Sequence, residues 1–140
     1  MAINLQEIII TESQRKTLTN LAQSEKPNES CAILFGTTNG KKFFVKEVFI
    51  TKNIDESPMN FTISNEQLIL AYNMAEEKKM DIVGIFHSHP NSDAYPSNTD
   101  RKFMNINPVV WLIYSGLKDN FKAYLLKSDI LEIPIRVQKF

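Results

Sequence analysis

Ile82-Val83-Gly84-Ile85-Phe86-His87-Ser88-His89-Pro90 carries an uninterrupted apolar segment straight into a His-x-His pair. Five residues without a polar side chain, bounded by Asp81 and followed by the histidines and a proline, read as a strand buried on both faces. Strands of that kind occupy the middle of a sheet. Such a strand delivers its C-terminal residues to the rim where α/β folds collect their ligands. In extended backbone two residues apart, both imidazoles point to the same side, as shared metal binding needs. They are the only histidines of the chain, and two placed at random in 140 residues would fall two apart about one time in seventy.

The segments around this strand supply the rest of a mixed α/β domain. Ser64 with Gln67 three residues on resembles a capping box, and Leu68, Leu70, Ala71, Met74 and Ala75 continue a helix to about Lys79. Further upstream, Cys31-Ala32-Ile33-Leu34-Phe35-Gly36 and residues 43–50 flank the turn chemistry of Thr38-Asn39-Gly40, which predicts an antiparallel pair. Ile8-Ile9-Ile10 predicts a short strand, and Thr11 or Ser13 caps a helix that carries Leu18, Leu21 and Ala22 on one face and stops near Pro27. Residues 51–58 are polar and loop-like. Downstream, a loop through Pro90 and Pro96 leads to a short helix from Ser97, and residues 109–114, 121–126 and 130–137 read as three closing strands. The expectation is one domain over residues 1–140, a mixed central β-sheet flanked by helices, without repeats.

Composition narrows the function classes. Sixteen basic and sixteen acidic residues cancel, so no long-range field draws the chain to nucleic acid or an anionic membrane. Residues 1–7 lack the basic start and apolar run of a signal peptide, and no stretch reaches the roughly eighteen apolar residues of a membrane span. A cytoplasmic protein is expected. Cys31 is the single cysteine, which excludes an internal disulfide and any Cys-x-x-Cys motif, so a metal would sit on histidine and carboxylate. Cys31 reads as a small buried hydrophobe, Trp111 and Tyr114 as strand packing, and Lys41-Lys42 and Glu76-Glu77-Lys78-Lys79 as solvated charge.

Ser97-Asn98-Thr99-Asp100 is first a helix start, serine with an acid three residues on. An aspartate in a first helical turn can also aim its carboxylate across the loop at His87 and His89. Two histidines and one aspartate make three protein ligands, the number a catalytic zinc takes while keeping a fourth position for water; structural zinc is closed by four. A proton carrier is then needed. Glu29, just before the apolar strand at Cys31, and Asp93, in the loop of residues 91–95, both qualify on position, and spacing leaves the choice open.

Taken together, Glu29-Ser30-Cys31-Ala32-Ile33-Leu34-Phe35-Gly36, Val83-Gly84-Ile85-Phe86-His87-Ser88-His89-Pro90 and Pro96-Ser97-Asn98-Thr99-Asp100 resemble the JAMM motif of the MPN+ metalloproteases. That motif is a glutamate, then His-x-His, then seven residues to Ser-x-x-Asp, and residues 90–96 fill the gap. The order of the Met59-Asn60-Phe61-Thr62-Ile63 segment and the helix after it is similar as well. Ala32 departs from the pattern, standing where members usually carry glycine.

The resemblance implies an MPN-type, cytidine-deaminase-like domain of the compact prokaryotic, archaeal type. It implies zinc on His87, His89 and Asp100, one ion per chain, with Glu29 as general base and acid and Ser97 as the donor that stabilises the tetrahedral intermediate. It further implies hydrolysis of the peptide or isopeptide bond after the C-terminus of a ubiquitin-like modifier, or release of a C-terminal amino acid from a sulfur-carrier protein. A non-catalytic MPN scaffold for protein assembly is the alternative from another class, and the intact motif argues against it. A zinc nucleobase deaminase fails for want of its two ligand cysteines. The substrate within the modifier class and the oligomeric state, a homodimer included, are left open.

Overall fold

The computed structural model describes residues 6–139; residues 1–5, on which most of the leader reading rests, lie outside it. The elements in chain order are β1 (Glu7–Thr11), α1 (Glu12–Glu25), β2 (Cys31–Thr38), β3 (Lys42–Thr51), α2 (Asn65–Glu77), β4 (Asp81–His89), α3 (Asn98–Ile106), β5 (Val110–Ser115), β6 (Asn120–Leu126), β7 (Ile130–Ile133) and β8 (Ile135–Gln138). The eight strands form one mixed sheet in the order β7-β6-β5-β4-β2-β3-β1-β8. β4 lies between an antiparallel neighbour, β2, and a parallel one, β5, which accounts for its apolar run. No helix among the described residues is long and apolar enough to cross a membrane.

Alternation along the strands divides the core in two. Ala32, Leu34, Phe86 and Leu112 pack with Leu18 and Ala22 of α1, whereas Ile33, Ile85, Trp111 and Ile113 pack with Ala71 and Ala75 of α2 and Met104 of α3. β4 reaches this phase through a bulge: Leu34 pairs with Gly84 but Phe35 pairs with Ile82, so Val83 is an extra residue that turns to the α1 side. Gly84 beside it must be glycine-like in size, since a Cβ there would lie 2.9 Å from the Val110 carbonyl oxygen and 3.0 Å from Leu34 Cδ1. Ala32, at the family's glycine position, is fully buried, and its methyl fills space on the α1 side of the sheet.

Three sequence expectations change. Residues 130–137 are two strands, not one, because Pro134 has no N–H to continue a ladder. β7 and β8 then sit at opposite edges of the sheet although one residue separates them, so the sheet curls until its edges meet at Pro134, whose carbonyl accepts from Ile8 N at 3.1 Å. α2 ends two residues before Lys79, which takes a left-handed φ of 57°; Lys79 N donates to Glu76 O and Met80 N to Ala75 O, closing the helix end. Ser64 does cap α2, but Gln67 does not return the bond, because its carbonyl oxygen accepts from Lys52 N at 2.9 Å, and Leu70 faces solvent.

Candidate active site

The two histidines close β4, and the antiparallel register with β2 sets Cys31 opposite His87, so that Ser30 and Glu29 run alongside Ser88 and His89. Ser88, pointing to the other face of the strand, welds this junction: its Oγ accepts from Ser30 N at 2.8 Å and lies 2.9 Å from Ser30 Oγ, and its own N–H donates to Ser30 O at 3.1 Å. Glu29 is pinned on both sides of its peptide by the following loop. Its N–H donates to Ser57 O at 2.8 Å, and its carbonyl accepts from Asn53 Nδ2 at 3.0 Å. Asn53 uses every polar valence, since Nδ2 also donates to Asn60 O and Oδ1 accepts from Asp55 N and Thr62 N. The loop-like reading of residues 51–58 gave no hint of this buried hub.

Asp100 arrives from α3. Ser97 is the N-cap, its Oγ accepting from Asp100 N at 3.1 Å, and the capping box is complete because Asp100 Oδ2 accepts from Ser97 N at 2.9 Å. The same Oδ2 lies 3.1 Å from His87 Nε2 and 3.2 Å from His89 Nε2, and the two Nε2 atoms are 3.0 Å apart. Helix capping and convergence on the histidines thus use one oxygen, so the two readings of this segment are compatible.

Three buried donor atoms therefore form a nearly equilateral triangle. A tetrahedral ion with bonds of about 2.0–2.1 Å holds its ligand atoms about 3.3 Å apart, so the set fits zinc with little adjustment. The tautomer of His89 fits too: its Nδ1 lies 2.8 Å from the Asp93 carbonyl oxygen, which can only accept, so Nδ1 carries the proton and Nε2 turns a lone pair to the triangle. His87 is held by aromatic packing, stacked on Phe61 with centroids 4.7 Å apart and set edge-on to Trp111 at 5.7 Å. Trp111 is packing, as expected, and what it packs against is a member of the candidate ligand triangle. Cys31 is buried as expected, its Sγ accepting from Thr51 Oγ1 at 3.2 Å, and burial pushes the thiol up to about 11.

Glu29 stands at the edge of the triangle, with one carboxylate oxygen, His87 and His89 ligand atoms all within 4.8 Å of one another. Its Oε1 is buried without a hydrogen-bond partner. Burial pushes its carboxyl from the ordinary 4.5 up to about 8; His89 opposes that shift and Asp100 adds to it. Asp100 goes the other way: burial would raise it, but the imidazoles of His87 and His89 beside it and the hydrogen bond from the Ser97 backbone hold it well below the usual carboxylate range. Burial lowers His87, whereas His89 is raised because Asp100, the Asp93 carbonyl and Glu29 together outweigh its burial. Asp93, the rival of Glu29, contributes its carbonyl; its carboxylate is exposed and faces Lys118 Nζ at 3.8 Å.

A cleft of about 720 Å³ opens at the His89 corner of the triangle, lined by Glu29, His89, Ser97, Pro58, Met59 and Tyr95 among others. Met59 is 75% exposed and Tyr95 52%. Ser97 Oγ is occupied as an acceptor by Asp100 N, which leaves its hydroxyl hydrogen free to donate into the cleft. An orphaned carboxyl, a three-donor set that meets the cleft at His89 and a free hydroxyl can together hold a metal, carry a proton and stabilise an anion.

Comparison with known proteins gives consistent results. The family model described as prokaryotic homologs of the JAB domain matches residues 11–127. The chain is 37% identical over 112 residues to a desampylase of Pyrococcus furiosus, covering 79% of this chain and 76% of the relative. It is 34% identical over 121 residues to the CysO-cysteine peptidase of Mycobacterium tuberculosis strain H37Rv, covering 83% and 81%. The solution structure of protein DSY2949 from Desulfitobacterium hafniense superposes with a TM-score of 0.85 at 28% identity, covering 95% of this chain and 94% of that one.

Proposed function

Because the chain belongs to the prokaryotic homologs of the JAB domain, the JAMM/MPN family its motif resembles, we propose that it is a zinc-dependent peptidase acting at the C-terminal carbonyl of a ubiquitin-like or sulfur-carrier protein. The observation that carries this reading is the triangle of His87 Nε2, His89 Nε2 and Asp100 Oδ2 beside an unpartnered Glu29. His87, His89 and Asp100 would hold the ion. Zinc, when bound, supplies a Lewis acid that polarises the scissile carbonyl and acidifies water.

Glu29 takes the proton from the attacking water and returns it to the departing amine. A carboxyl that burial pushes up to about 8 accepts a proton readily near neutrality, and the dication would draw that value back down. Ser97 donates its hydroxyl hydrogen to the oxygen that gains charge as the carbonyl becomes tetrahedral. The substrate tail lies in the cleft between Met59 and Tyr95, because β2 and β4, the strands that bear the site, are paired on both edges and offer no free edge for strand addition.

The relative named CysO-cysteine peptidase favours a second form of the same chemistry, release of one C-terminal amino acid from a carrier. Two substrates separate the forms: a modifier with a di-glycine tail joined to a lysine side chain, and a carrier extended by one residue. Cleavage of either that stops on chelation and returns with zinc supports the proposal. Cleavage of neither by zinc-loaded protein would leave the non-catalytic scaffold.

A further inference from the structure

Three successive carbonyl oxygens of the loop after β4 each accept one side-chain hydrogen bond. Ser92 O accepts from Ser115 Oγ at 2.7 Å, Asp93 O accepts from His89 Nδ1 at 2.8 Å, and Ala94 O accepts from the hydroxyl of Tyr124. The middle bond selects the tautomer of His89, and the two that flank it come from neighbouring strands, Ser115 ending β5 and Tyr124 in β6. Both anchors are rigid. Ser115 is fully buried and also accepts from Lys118 N at 3.0 Å; Tyr124 is 2% exposed, its ring edge-on to Tyr95 at 5.6 Å. The strand end itself is clamped, because Gly116 N donates to His89 O at 2.9 Å and a Cβ on Gly116 would fall 2.6 Å from the Pro90 carbonyl oxygen.

Nothing in the substrate cleft explains this arrangement, since neither Ser115 nor Tyr124 lines it. Their hydroxyls point at the backbone of residues 92–94, a stretch in which Ser92 and Asp93 are exposed and Ala94 is buried. What the bonds fix is the direction of the Asp93 carbonyl between them, and so the orientation of the imidazole that donates to it.

We propose that Ser115 and Tyr124 are positioning residues for the metal site, holding residues 92–94 so that the Asp93 carbonyl keeps the proton of His89 on Nδ1 and its Nε2 lone pair in the ligand triangle. The proposal rests on the zinc reading of that triangle only for its effect on affinity; the effect on the tautomer stands without it. Tyr124 suits the part because burial, with the nearby charges of Glu132, Tyr95 and Asp93, pushes its phenol up to about 12, so it remains a donor at any working pH.

The test uses Ser115→Ala/Tyr124→Phe and Tyr124→Phe alone, compared with wild type. In zinc-free protein, long-range ¹H–¹⁵N spectra of the histidine rings give the tautomer: wild type should show His89 protonated on Nδ1, and the double variant a mixture with a faster-exchanging proton. Zinc affinity by competition with a chromophoric chelator should fall about tenfold in the double variant, the lower end of what outer partners of metal ligands contribute, and about threefold in Tyr124→Phe. Should the double variant fail to fold, Tyr124→Phe, which removes one oxygen and keeps its ring packing, carries both measurements. An unchanged His89 tautomer together with zinc affinity within the error of wild type would overturn the proposal. A wild type that binds no zinc would instead refute the functional reading, and the zinc-free spectra would still decide the role of the two hydroxyls.

Discussion

Two carboxylates, Glu29 and Asp100, are each 4% exposed and border the same pair of histidines, yet their surroundings are opposite. Asp100 Oδ2 meets three polar groups, two imidazoles and the Ser97 N–H, and is held ionised. Glu29 Oε1 meets none, and burial pushes its carboxyl up to about 8. The difference lies in the elements that carry them. Asp100 sits in a helical first turn, where the backbone offers an N–H; Glu29 sits two residues before the central strand β2, where its own peptide groups are taken by Ser57 and Asn53. Environments that drive two acids apart suit them to different roles, and on the proposed function one would remain an anion under the ion and the other exchange a proton.

The contrast can be broken most severely at Asp100. Asp100→Ala should reduce bound zinc from one per chain to near none and bring hydrolysis to background. It should also lower unfolding free energy by about 1–3 kcal/mol, because it removes the return bond of the capping box and leaves the buried His87 imidazole without its acceptor. Elemental analysis and a denaturant melt read both effects. His89→Ala should lose zinc to the same extent while leaving the α3 cap intact, so full zinc in that variant would remove His89 from the ligand set.

Ser97→Ala should keep zinc but lower kcat by about 10²-fold with little change in KM, since in the proposed mechanism its hydroxyl acts on charge that develops only in the transition state. Its stability should drop by about 0.5–2 kcal/mol from the lost cap, and steady-state kinetics beside a thermal melt separate the two roles. A smaller change in kcat is expected at Ser88→Ala, which never touches the cleft. It strands the Ser30 N–H in a dry interior and should cost about 1–3 kcal/mol of stability, with a modest fall in kcat as Glu29 loosens.

The mildest test is the pH dependence of stability in zinc-free protein. A carboxyl whose folded value is raised to about 8 from the ordinary 4.5 contributes stability that is full below about pH 4.5 and is lost as pH rises through 8. Asp100, held down, has the opposite sign, and its contribution is lost only in strong acid. Chemical denaturation of wild type should therefore weaken between pH 5 and 8, and Glu29→Gln should flatten that slope.

Much of this site was legible in the sequence because it is local. His87, Ser88 and His89 fall on one strand, Ser97 and Asp100 on one helical turn, and the periodicities of those elements fix which way each side chain points. Glu29 was a different matter. Nothing local separates it from Asp93, and motif resemblance marked it out where spacing did not; what distinguishes the two in space is a β2–β4 register formed by residues almost sixty positions apart. The supporting residues were illegible for the same reason. Asn53, Ser115 and Tyr124 are ordinary polar residues whose bonds depend on which loop folds over which strand. The split at Pro134 was readable in principle, but its consequence, a sheet curled until its edges meet, depends on the pairing of β1 with β8, strands from opposite ends of the chain that no window of sequence contains.

The account turns on Glu29 being the proton carrier and not a ligand or a structural group. The direct measurement is single-turnover hydrolysis of a di-glycine-tailed modifier fusion by Glu29→Gln, with zinc content determined on the same sample. The prediction is one zinc per chain, an unchanged melt or a slightly higher one, and a rate reduced by about 10²–10⁴-fold. Wild-type turnover at full zinc occupancy would contradict it.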